Sequence, residues 1–332
     1  MSKKALLEVN NLKQYFPIKG GVFGGTVNHV KAVDDISFVV YEGETVSVVG
    51  ESGCGKSTTG RAILRLDDPT SGDILFDGEN LLSLNKAKMR KKRKDLQIIF
   101  QDPYASLNPR QTVRQILEES LEIQNVVPRK ERRQKVEDLL QTVGIGAHQM
   151  DRYPHEFSGG QRQRIGIARA LSVDPKLVIC DEAVSALDVS IQAQVLNLLK
   201  ELQQKFQLTY LFISHDLGVV RHISDRIIVM YLGKIVEIGD KDSLFENPQH
   251  PYTRALLSAI PSINVGEKKK ERIILKGDVP SPIDPPAGCR FHTRCPYAMD
   301  RCAVEEPKLH SLSEIEHQAA CHLLEDGPYD YS

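Results

Sequence analysis

A glycine-rich loop carries the most specific chemistry in the sequence: Gly50-x-x-x-x-Gly55-Lys56-Ser57, directly after a run of β-branched residues. Glycines let the backbone wrap phosphate groups, with its N–H groups pointing inward at the start of a helix. Lys56 then supplies charge to the β- and γ-phosphates, and the Ser57 hydroxyl serves Mg²⁺. The pattern predicts an ATP site. Its expected contacts are Gly50, Glu51, Ser52, Gly53, Cys54, Gly55, Lys56, Ser57 and Thr58.

Two carboxylates follow the apolar run 177–180. At the C-terminal end of a strand, Asp181 can hold Mg²⁺ directly or through water, and Glu182 can orient and polarise the attacking water. A strand that ends in Asp-Glu is often only a surface edge. Together with the phosphate loop, it predicts a hydrolysis site. Cys180, on the buried strand itself, is expected to pack in the core.

Four cysteines near the C-terminus, Cys289, Cys295, Cys302 and Cys321, lie in a segment with little apolar content. Such a small module needs a cross-link. Disulfides are disfavoured in a reducing cytoplasm. Zinc sites usually show a Cys-x2–4-Cys pair, which is missing here, although the nearby histidines could compete as ligands. A [4Fe–4S] cluster takes four thiolates and suits wider spacings. The nearby histidines are His292, His310, His317 and His322.

The composition of the chain is that of an ordinary globular protein: it has 332 residues, of which 41% are hydrophobic and 26% charged. Such a chain can form the helices and strands that must position these residues. This composition excludes disordered, collagen-like and coiled-coil classes. The net charge of −1 argues against a primary nucleic-acid role. Without an apolar run of about 18 residues or a secretory signal, the chain is expected to stay on the cytoplasmic side.

Hydrophobic patterning predicts strands that alternate with helices, which indicates an α/β fold with a largely parallel sheet. A boundary is expected near residue 262, before a charge run and a proline-rich loop. The predicted strands are 6–9, 32–40, 45–49, 73–76, 96–100, 177–180 and 211–214. The predicted helices are 56–66, 129–143, 161–171 and 190–203.

The segment Phe157-Ser158-Gly159-Gly160-Gln161 resembles the signature motif of ATP-binding cassette (ABC) ATPases. In that family the signature serves the nucleotide of a partner subunit, so that two ATP molecules lie between two cassettes. The resemblance implies that Ser158, Gly159, Gly160, Gln161 and Asp188 contact the partner's nucleotide. Asp188 belongs to the matching D-loop, residues 185–188.

Further family motifs follow in order. Gln101 matches the Q-loop glutamine, which senses Mg²⁺ and couples to membrane subunits, and His215 matches the switch histidine that contacts the γ-phosphate. Tyr15 and Phe16 both lie where the family places an aromatic residue against adenine. The resemblance implies a P-loop ABC ATPase fold with an antiparallel β subdomain and a helical subdomain at about 102–160. The cassette would span 1–262, and a Cys-rich extension 263–332.

Residues 248–253 and 280–289 are similar to the ATP-binding subunits of oligopeptide and dipeptide permeases, a group that nickel importers share. The resemblance implies a peripheral ATPase at the cytoplasmic face of the cell membrane. Its partners would be two transmembrane permease subunits, a second, paralogous ABC ATPase and an external peptide-binding protein. It also favours a [4Fe–4S] cluster on the four cysteines, since members of the family carry one there, with zinc as the alternative.

Other functions fit less well. The alternative cargo is nickel or another small solute. A nucleic-acid-associated cassette ATPase would carry two cassettes, or long heptad repeats between the phosphate loop and the signature, and neither occurs here. A metal-dependent redox enzyme would need a second cofactor motif, which the sequence lacks.

Overall fold

The computed structural model describes residues 3–20, 25–260, 272–312, 317–325 and 329. The chain divides into two compact units. The first comprises Met1–Leu6, Val40–Thr45 and Ser83–Ile213; the second comprises Leu7–Val39, Val46–Leu82 and Ser214–Ser332. The domain boundary predicted near residue 262 lies outside the described residues and stays a prediction. Over the described ranges, no helix is both long enough and apolar enough to cross a bilayer.

The strands of the described chain are β1 (Ala5–Gly20), β2 (Gly25–Tyr41), β3 (Thr45–Val49), β4 (Ser71–Phe76), β5 (Glu79–Asn80), β6 (Leu96–Ile99), β7 (Leu177–Asp181), β8 (Thr209–Ile213), β9 (Arg226–Tyr231), β10 (Lys234–Asp240), β11 (His310–Ser311) and β12 (Gln318–Ala319). The α-helices are α1 (Lys56–Ile63), α2 (Lys86–Lys92), α3 (Pro103–Ser106), α4 (Val113–Ile123), α5 (Arg132–Thr142), α6 (Gly159–Leu171), α7 (Val189–Phe206), α8 (Leu217–Ile223), α9 (Lys241–Glu246) and α10 (Pro251–Ser258).

In the first unit, β6, β7 and β8 form a parallel array in the order β8-β7-β6. β8 is buried throughout and β7 as far as Cys180, which explains their continuous apolar sequences. Helices α4, α5 and α6 pack against one another, and α7 packs on α6. β7 ends at Asp181, so the array presents this carboxylate at its C-terminal edge.

The second unit contains an antiparallel sheet of order β2-β1-β4-β5 and the array β11-β12-β10-β9-β3. β3 pairs in parallel with β9, while β10 pairs antiparallel with both β9 and β12. Every residue of β3 is buried, and α1 begins seven positions after Val49. This strand–loop–helix order is the one that the phosphate-loop prediction requires.

Residues near the C-terminus pack as part of the second unit. β12 extends the sheet by pairing with β10 at Glu237 and Ile238. The buried Phe291 ring contacts Tyr231 and Tyr252, with ring centroids 5.2 and 5.5 Å away. Burying one such aromatic side chain contributes about 1.5–3 kcal/mol to folding.

The structure confirms the predicted α/β alternation and corrects the bounds of several elements. The strand predicted at 6–9 continues to Gly20. It passes through an irregularity in which Asn11 adopts φ +48° and the pairing register with β4 shifts between Asn10 and Lys13. Asparagine tolerates this left-handed conformation, so the pair Asn10-Asn11 forms a bulge within the strand. The helix predicted at 129–143 begins as a 3-10 turn, Arg129–Glu131, before α5.

Candidate nucleotide site

The phosphate loop of the second unit depends on glycine at its two ends. Gly50 has φ +151° and Gly55 has φ +106°. A Cβ atom at Gly50 would lie 2.2 Å from the Met230 carbonyl oxygen, and one at Gly55 would lie 2.2 Å from that of Ala32. Neither position can hold another residue without moving backbone. The motif glycines are therefore set by close backbone approach as well as by the turn.

Lys56 lies inside the curve of the loop. Its ammonium donates hydrogen bonds to the carbonyl oxygens of Gly50 at 2.8 Å and Glu51 at 3.1 Å, and the residue is only 4% exposed. Ser57 and Thr58 are half-buried in the first turn of α1. This places the lysine and the serine hydroxyl at the start of a helix, where anions are favoured.

Cys54 packs within the loop. It is buried, and burial raises the pKa of its thiol. Its carbonyl oxygen accepts a hydrogen bond from the Gly233 N–H at 2.9 Å, which ties the loop to the turn between β9 and β10. Its side chain therefore fills space, and its backbone anchors the loop.

The first unit brings Gln101, Glu182 and Ser185 together. The Gln101 amide donates to Glu182 Oε2 at 2.9 Å and to the Ser185 hydroxyl at 3.3 Å. Asp181 directly precedes Glu182 at the end of β7. Gln101 was predicted from the family resemblance and Glu182 from the two carboxylates after the apolar run. They lie 81 positions apart, and the fold places them in hydrogen-bond contact.

Glu182 has an unusual backbone conformation. Its φ is +49°, in the left-handed region, and its N–H donates to the Ile213 carbonyl oxygen of β8 at 3.0 Å. A residue with a Cβ atom pays about 1–2 kcal/mol for this conformation. Strain of this kind occurs at functional sites, where the surroundings hold a side chain in one direction.

His215 lies in the second unit, exposed between the end of β8 and the start of α8. The Ser214 N–H donates to the Val48 carbonyl oxygen of β3 at 3.1 Å, so His215 follows a residue that is bonded to the strand leading into the phosphate loop. Asp216 caps α8 by accepting from the N–H groups of Gly218 and Val219. The histidine is thus held at a defined point beside β3.

The signature residues begin α6 in the first unit. Ser158 and Gln161 form a capping box: the Ser158 hydroxyl accepts from the Gln161 N–H, and the Gln161 side chain accepts from the Ser158 N–H. A Cβ atom at Gly160 would lie 2.4 Å from Ile191 Cγ2 of α7. Each of these residues therefore has a structural role in the helix, separate from the nucleotide contact that the resemblance implies. Asp188 is exposed at the start of α7.

Tyr15 and Phe16 differ in their surroundings. The Tyr15 hydroxyl donates to Asp34, and burial together with this hydrogen bond raises the pKa of the hydroxyl. Arg290 also donates to Asp34, so Tyr15 belongs to a buried polar network. Phe16 is 37% exposed, and as its neighbour on β1 it faces the opposite side of the strand.

The sequence did not identify Tyr252 and Arg294 as residues beside the phosphate loop. The Tyr252 hydroxyl accepts a hydrogen bond from the Glu51 N–H at 2.8 Å, and Arg294 forms an ion pair with the Glu51 carboxylate. Tyr252 lies in the segment 248–253, which the sequence offered only as a family marker. Arg294 lies 243 positions from Glu51, and nothing in their spacing links them.

Neighbouring thiols affect the pKa of Cys289 and Cys321, two of the four C-terminal cysteines. Burial raises the pKa of Cys289 to about 11 and that of Cys321 to about 12, and in each case neighbouring thiols add to the effect. The Cys289 N–H also donates to the Cys302 carbonyl oxygen at 2.8 Å. Within the described ranges, however, no three or more His, Cys, Asp and Glu side chains are arranged to hold a metal ion. The predicted cluster therefore finds no support in the arrangement of side chains.

Three of the four histidines that could compete for zinc make other polar contacts. His317 Nε2 lies 2.8 Å from Glu237 Oε1, and His322 Nε2 lies 2.9 Å from the Glu305 carbonyl oxygen. His292 Nδ1 lies 2.8 Å from the Cys289 carbonyl oxygen. His310 lies in β11.

Comparison with protein families gives two matches. A profile described as ABC transporter matches residues 33–185, and one described as oligopeptide/dipeptide transporter, C-terminal region, matches residues 236–302. The second match includes Tyr252, Arg294 and three of the four C-terminal cysteines. The residues around the phosphate loop thus fall into both matched regions.

Curated relatives match nearly the whole chain. The oligopeptide transport ATP-binding protein AppF of Bacillus subtilis is 56% identical, over 97% of this chain and 98% of that protein. The di/tripeptide transport ATP-binding protein DppF of Pseudomonas aeruginosa is 49% identical, over 97% of this chain and 98% of that protein.

Among solved structures, a dimeric ATP-binding cassette, MJ0796, in a post-hydrolysis state with ADP and Pi, matches with a TM-score of 0.62. It is 28% identical, over 71% of this chain and 99% of that chain.

Proposed function

This chain belongs to the ATP-binding proteins of ABC transporters, and we propose that it hydrolyses ATP to drive import of oligopeptides or dipeptides across a membrane. The observation that supports the ATPase function most strongly is the Gln101–Glu182 hydrogen bond at the end of β7, because it fixes the direction of the carboxylate that we propose orients the attacking water. The peptide cargo is supported by the names of the relatives and by the match over residues 236–302.

The proposed chemistry is attack of water on the γ-phosphorus, with ADP as the leaving group. Lys56 and the N–H groups of the loop bind the phosphates, and His215 contacts the γ-phosphate. Glu182 orients the water and accepts its proton, while the Gln101 amide fixes the direction of the carboxylate. The Glu182 role alone accounts for roughly 10²-fold or more in rate.

Mg²⁺ fits the chemistry of the proposed ligands, since Ser57, Gln101 and Asp181 offer the hard oxygen donors that it prefers. When bound, the ion neutralises charge on the β- and γ-phosphate oxygens. Of the proposed ligands, Ser57 lies in the first turn of α1, Gln101 follows β6, and Asp181 ends β7.

For a second nucleotide, we propose that Ser158, Gly159, Gly160, Gln161 and Asp188 contact ATP bound to a partner cassette. Ser158 caps the 13-residue helix α6, and a helix N-terminus favours phosphate. That the MJ0796 cassette forms a dimer supports the same arrangement. For adenine we propose Phe16, whose ring is exposed while the Tyr15 hydroxyl is bound to Asp34.

The proposed partners are two transmembrane permease subunits, a second, paralogous ABC ATPase and an external peptide-binding protein, with this chain at the cytoplasmic face of the membrane. Support comes from the relatives, which are named as transport ATP-binding proteins. Affinity purification of this chain from detergent-solubilised membranes, followed by mass spectrometry, tests the assembly. Recovery of the chain without any membrane protein would contradict it.

For the four cysteines, we propose a structural [4Fe–4S] cluster with no part in hydrolysis, and zinc as the alternative. The proposal is supported by the neighbouring thiols that help to raise the pKa of Cys289 and Cys321; the arrangement of the described side chains does not support it. Anaerobic purification followed by metal analysis decides. We expect bound iron and broad absorption at about 400 nm. A colourless protein without iron would contradict the cluster.

Cargo is tested separately by uptake into cells or vesicles that contain the complete transporter. We expect ATP-dependent uptake of labelled dipeptides or longer peptides, and no uptake of Ni²⁺. Uptake of Ni²⁺ without peptide uptake would contradict the peptide cargo and indicate a metal importer.

A further inference from the structure

An acidic residue stands in the loop that must receive phosphate. Glu51 directly follows Gly50, and its carbonyl oxygen accepts from the Lys56 ammonium at 3.1 Å. Residue 51 therefore adjoins the amine proposed to hold the β- and γ-phosphates. An unpaired carboxylate at this point would repel a nucleoside triphosphate, because unit charges interact appreciably at a distance of several ångströms near a protein surface.

Arg294 neutralises this carboxylate through two hydrogen bonds. Its Nη1 lies 2.7 Å from Glu51 Oε2, and its Nη2 lies 3.3 Å from Glu51 Oε1. The Arg294 side chain is 8% exposed and that of Glu51 is 29% exposed. An arginine guanidinium is charged at any pH at which the protein functions, so Arg294 presents a full positive charge to the Glu51 carboxylate. Such a two-bond contact fixes the direction of the carboxylate as well as its charge.

The guanidinium is itself held by packing. Arg294 ends a 3-10 turn that follows the buried Phe291, and its guanidinium carbon lies 5.9 Å from the centre of the Tyr231 ring. Tyr252, from the same aromatic cluster, accepts the Glu51 N–H. Both the side chain and the backbone of Glu51 are therefore held by residues far along the chain.

We propose that Arg294 is a positioning residue for nucleotide binding: it holds Glu51 aside and cancels its charge, so that the phosphate loop accepts the triphosphate of MgATP. The inference rests on the proposed binding of ATP at this loop. It assigns the C-terminal segment a direct effect on ATP affinity, in addition to any role in assembly. It also explains why an acidic residue is tolerated inside a phosphate-binding loop.

The test is the affinity of the full chain for MgATP, measured with a fluorescent ATP analogue. Arg294→Gln keeps much of the side-chain length and removes the charge, so Glu51 is left unneutralised. We expect affinity to fall roughly tenfold. In the assembled transporter, KM for ATP should rise while kcat stays close to the parental value. The double variant E51Q/R294Q removes both charges and should regain affinity to within about twofold of the parent.

Arg301→Gln is the matched control, because Arg301 lies in the same segment but pairs with Glu305 and Glu325 instead of Glu51. It should bind MgATP like the parent. Parental affinity in R294Q, or a double variant as weak as R294Q, would overturn the inference.

Thermal unfolding without nucleotide identifies any variant that fails to fold. If R294Q fails, Arg294→Lys decides, because lysine keeps the charge but cannot form the two-bond fork, and about threefold weaker binding is expected. Parental affinity in R294K would then overturn the inference. A parental chain that fails to bind MgATP would instead contradict the proposed function.

Discussion

At the scale of single residues, the phosphate loop depends on positions where backbone atoms approach closely. Gly55 combines φ +106° with a site for Cβ only 2.2 Å from the Ala32 carbonyl oxygen. The conformation alone costs an L-residue about 1–3 kcal/mol, and the clash adds to it. The same loop carries the charge of Lys56, so its geometry and its chemistry cannot be separated.

Gly55→Ala should therefore lower the free energy of unfolding by at least about 1–3 kcal/mol and abolish MgATP binding. The comparison is Gly166→Ala in α6, where a new Cβ has no neighbour within 4 Å outside the backbone of its own helix. Alanine should stabilise that helix by about 0.5–1 kcal/mol. Urea unfolding of both variants, with nucleotide binding, measures the difference. If G55A unfolds and binds like the parent, the close approach does not constrain the loop.

Glu182→Gln keeps the size of a side chain that Gln101 contacts at 2.9 Å, and removes its ability to accept a proton. We expect MgATP binding to persist and turnover to fall by about 10²-fold or more. The control, Glu201→Gln, changes an exposed glutamate of α7 in the same unit and should hydrolyse at the parental rate. Phosphate release under saturating ATP measures both. Parental turnover by E182Q would remove Glu182 from the mechanism.

At the scale of elements, two helices of the first unit begin with the same device. A capping box starts α4 at Thr112 and Gln115, and another starts α6 at Ser158 and Gln161. Losing such a cap costs about 1 kcal/mol. Only the second box lies in the signature. Substitutions in the two boxes can therefore be compared to distinguish the effect of a lost cap from the loss of a nucleotide contact.

Ser158→Arg should destabilise the chain by about 1 kcal/mol, leave MgATP binding by the isolated chain intact and block turnover in the assembled transporter. Thr112→Ala should cost similar stability and retain turnover. Denaturant unfolding and ATPase assays on both variants supply the measurements. Loss of ATP binding by isolated S158R, at a temperature where it is folded, would indicate that the segment serves its own nucleotide.

Elements predicted from hydrophobic runs agree best with the structure. The predicted strand 45–49 matches β3, because both of its faces are buried and four of its five residues are β-branched. The extent of β1 could not be predicted, since Asn10-Asn11 signals a turn and only the pairing with β4 shows a bulge. The contact of Arg294 with Glu51 could not be predicted either, because it depends on tertiary packing across 243 positions.

At the scale of the whole molecule, a buried carboxylate of β10 connects several parts of the second unit, including His317 near the C-terminus. Glu237 of β10 accepts from the N–H groups of Gln249 at 2.7 Å and His250 at 2.9 Å, and His317 Nε2 lies 2.8 Å away. His250 in turn caps α10 through its Nδ1, which accepts from the Tyr252 N–H. Protonation of the His250 ring should therefore change the free energy of unfolding.

Burial lowers the pKa of His250 from 6.5 to about 4, so the folded chain holds this ring neutral. Because the unfolded chain binds a proton at the higher pKa, stability is full above about pH 6.5 and falls as the pH drops toward 4. The loss amounts to roughly 3 kcal/mol at most. His250→Asn keeps an acceptor for the cap and should flatten the stability profile in this window. An unchanged profile in H250N would contradict the assignment.

The central claim is that this chain couples ATP hydrolysis to peptide import, and it is tested most directly by measuring both in one preparation. Proteoliposomes would contain this chain, its partner cassette and two permease subunits, with the peptide-binding protein outside. We predict that peptide-loaded binding protein stimulates phosphate release and peptide uptake together, and that Glu182→Gln abolishes both. Peptide uptake that persists in E182Q, or hydrolysis that responds to another solute and not to peptide, would contradict the claim.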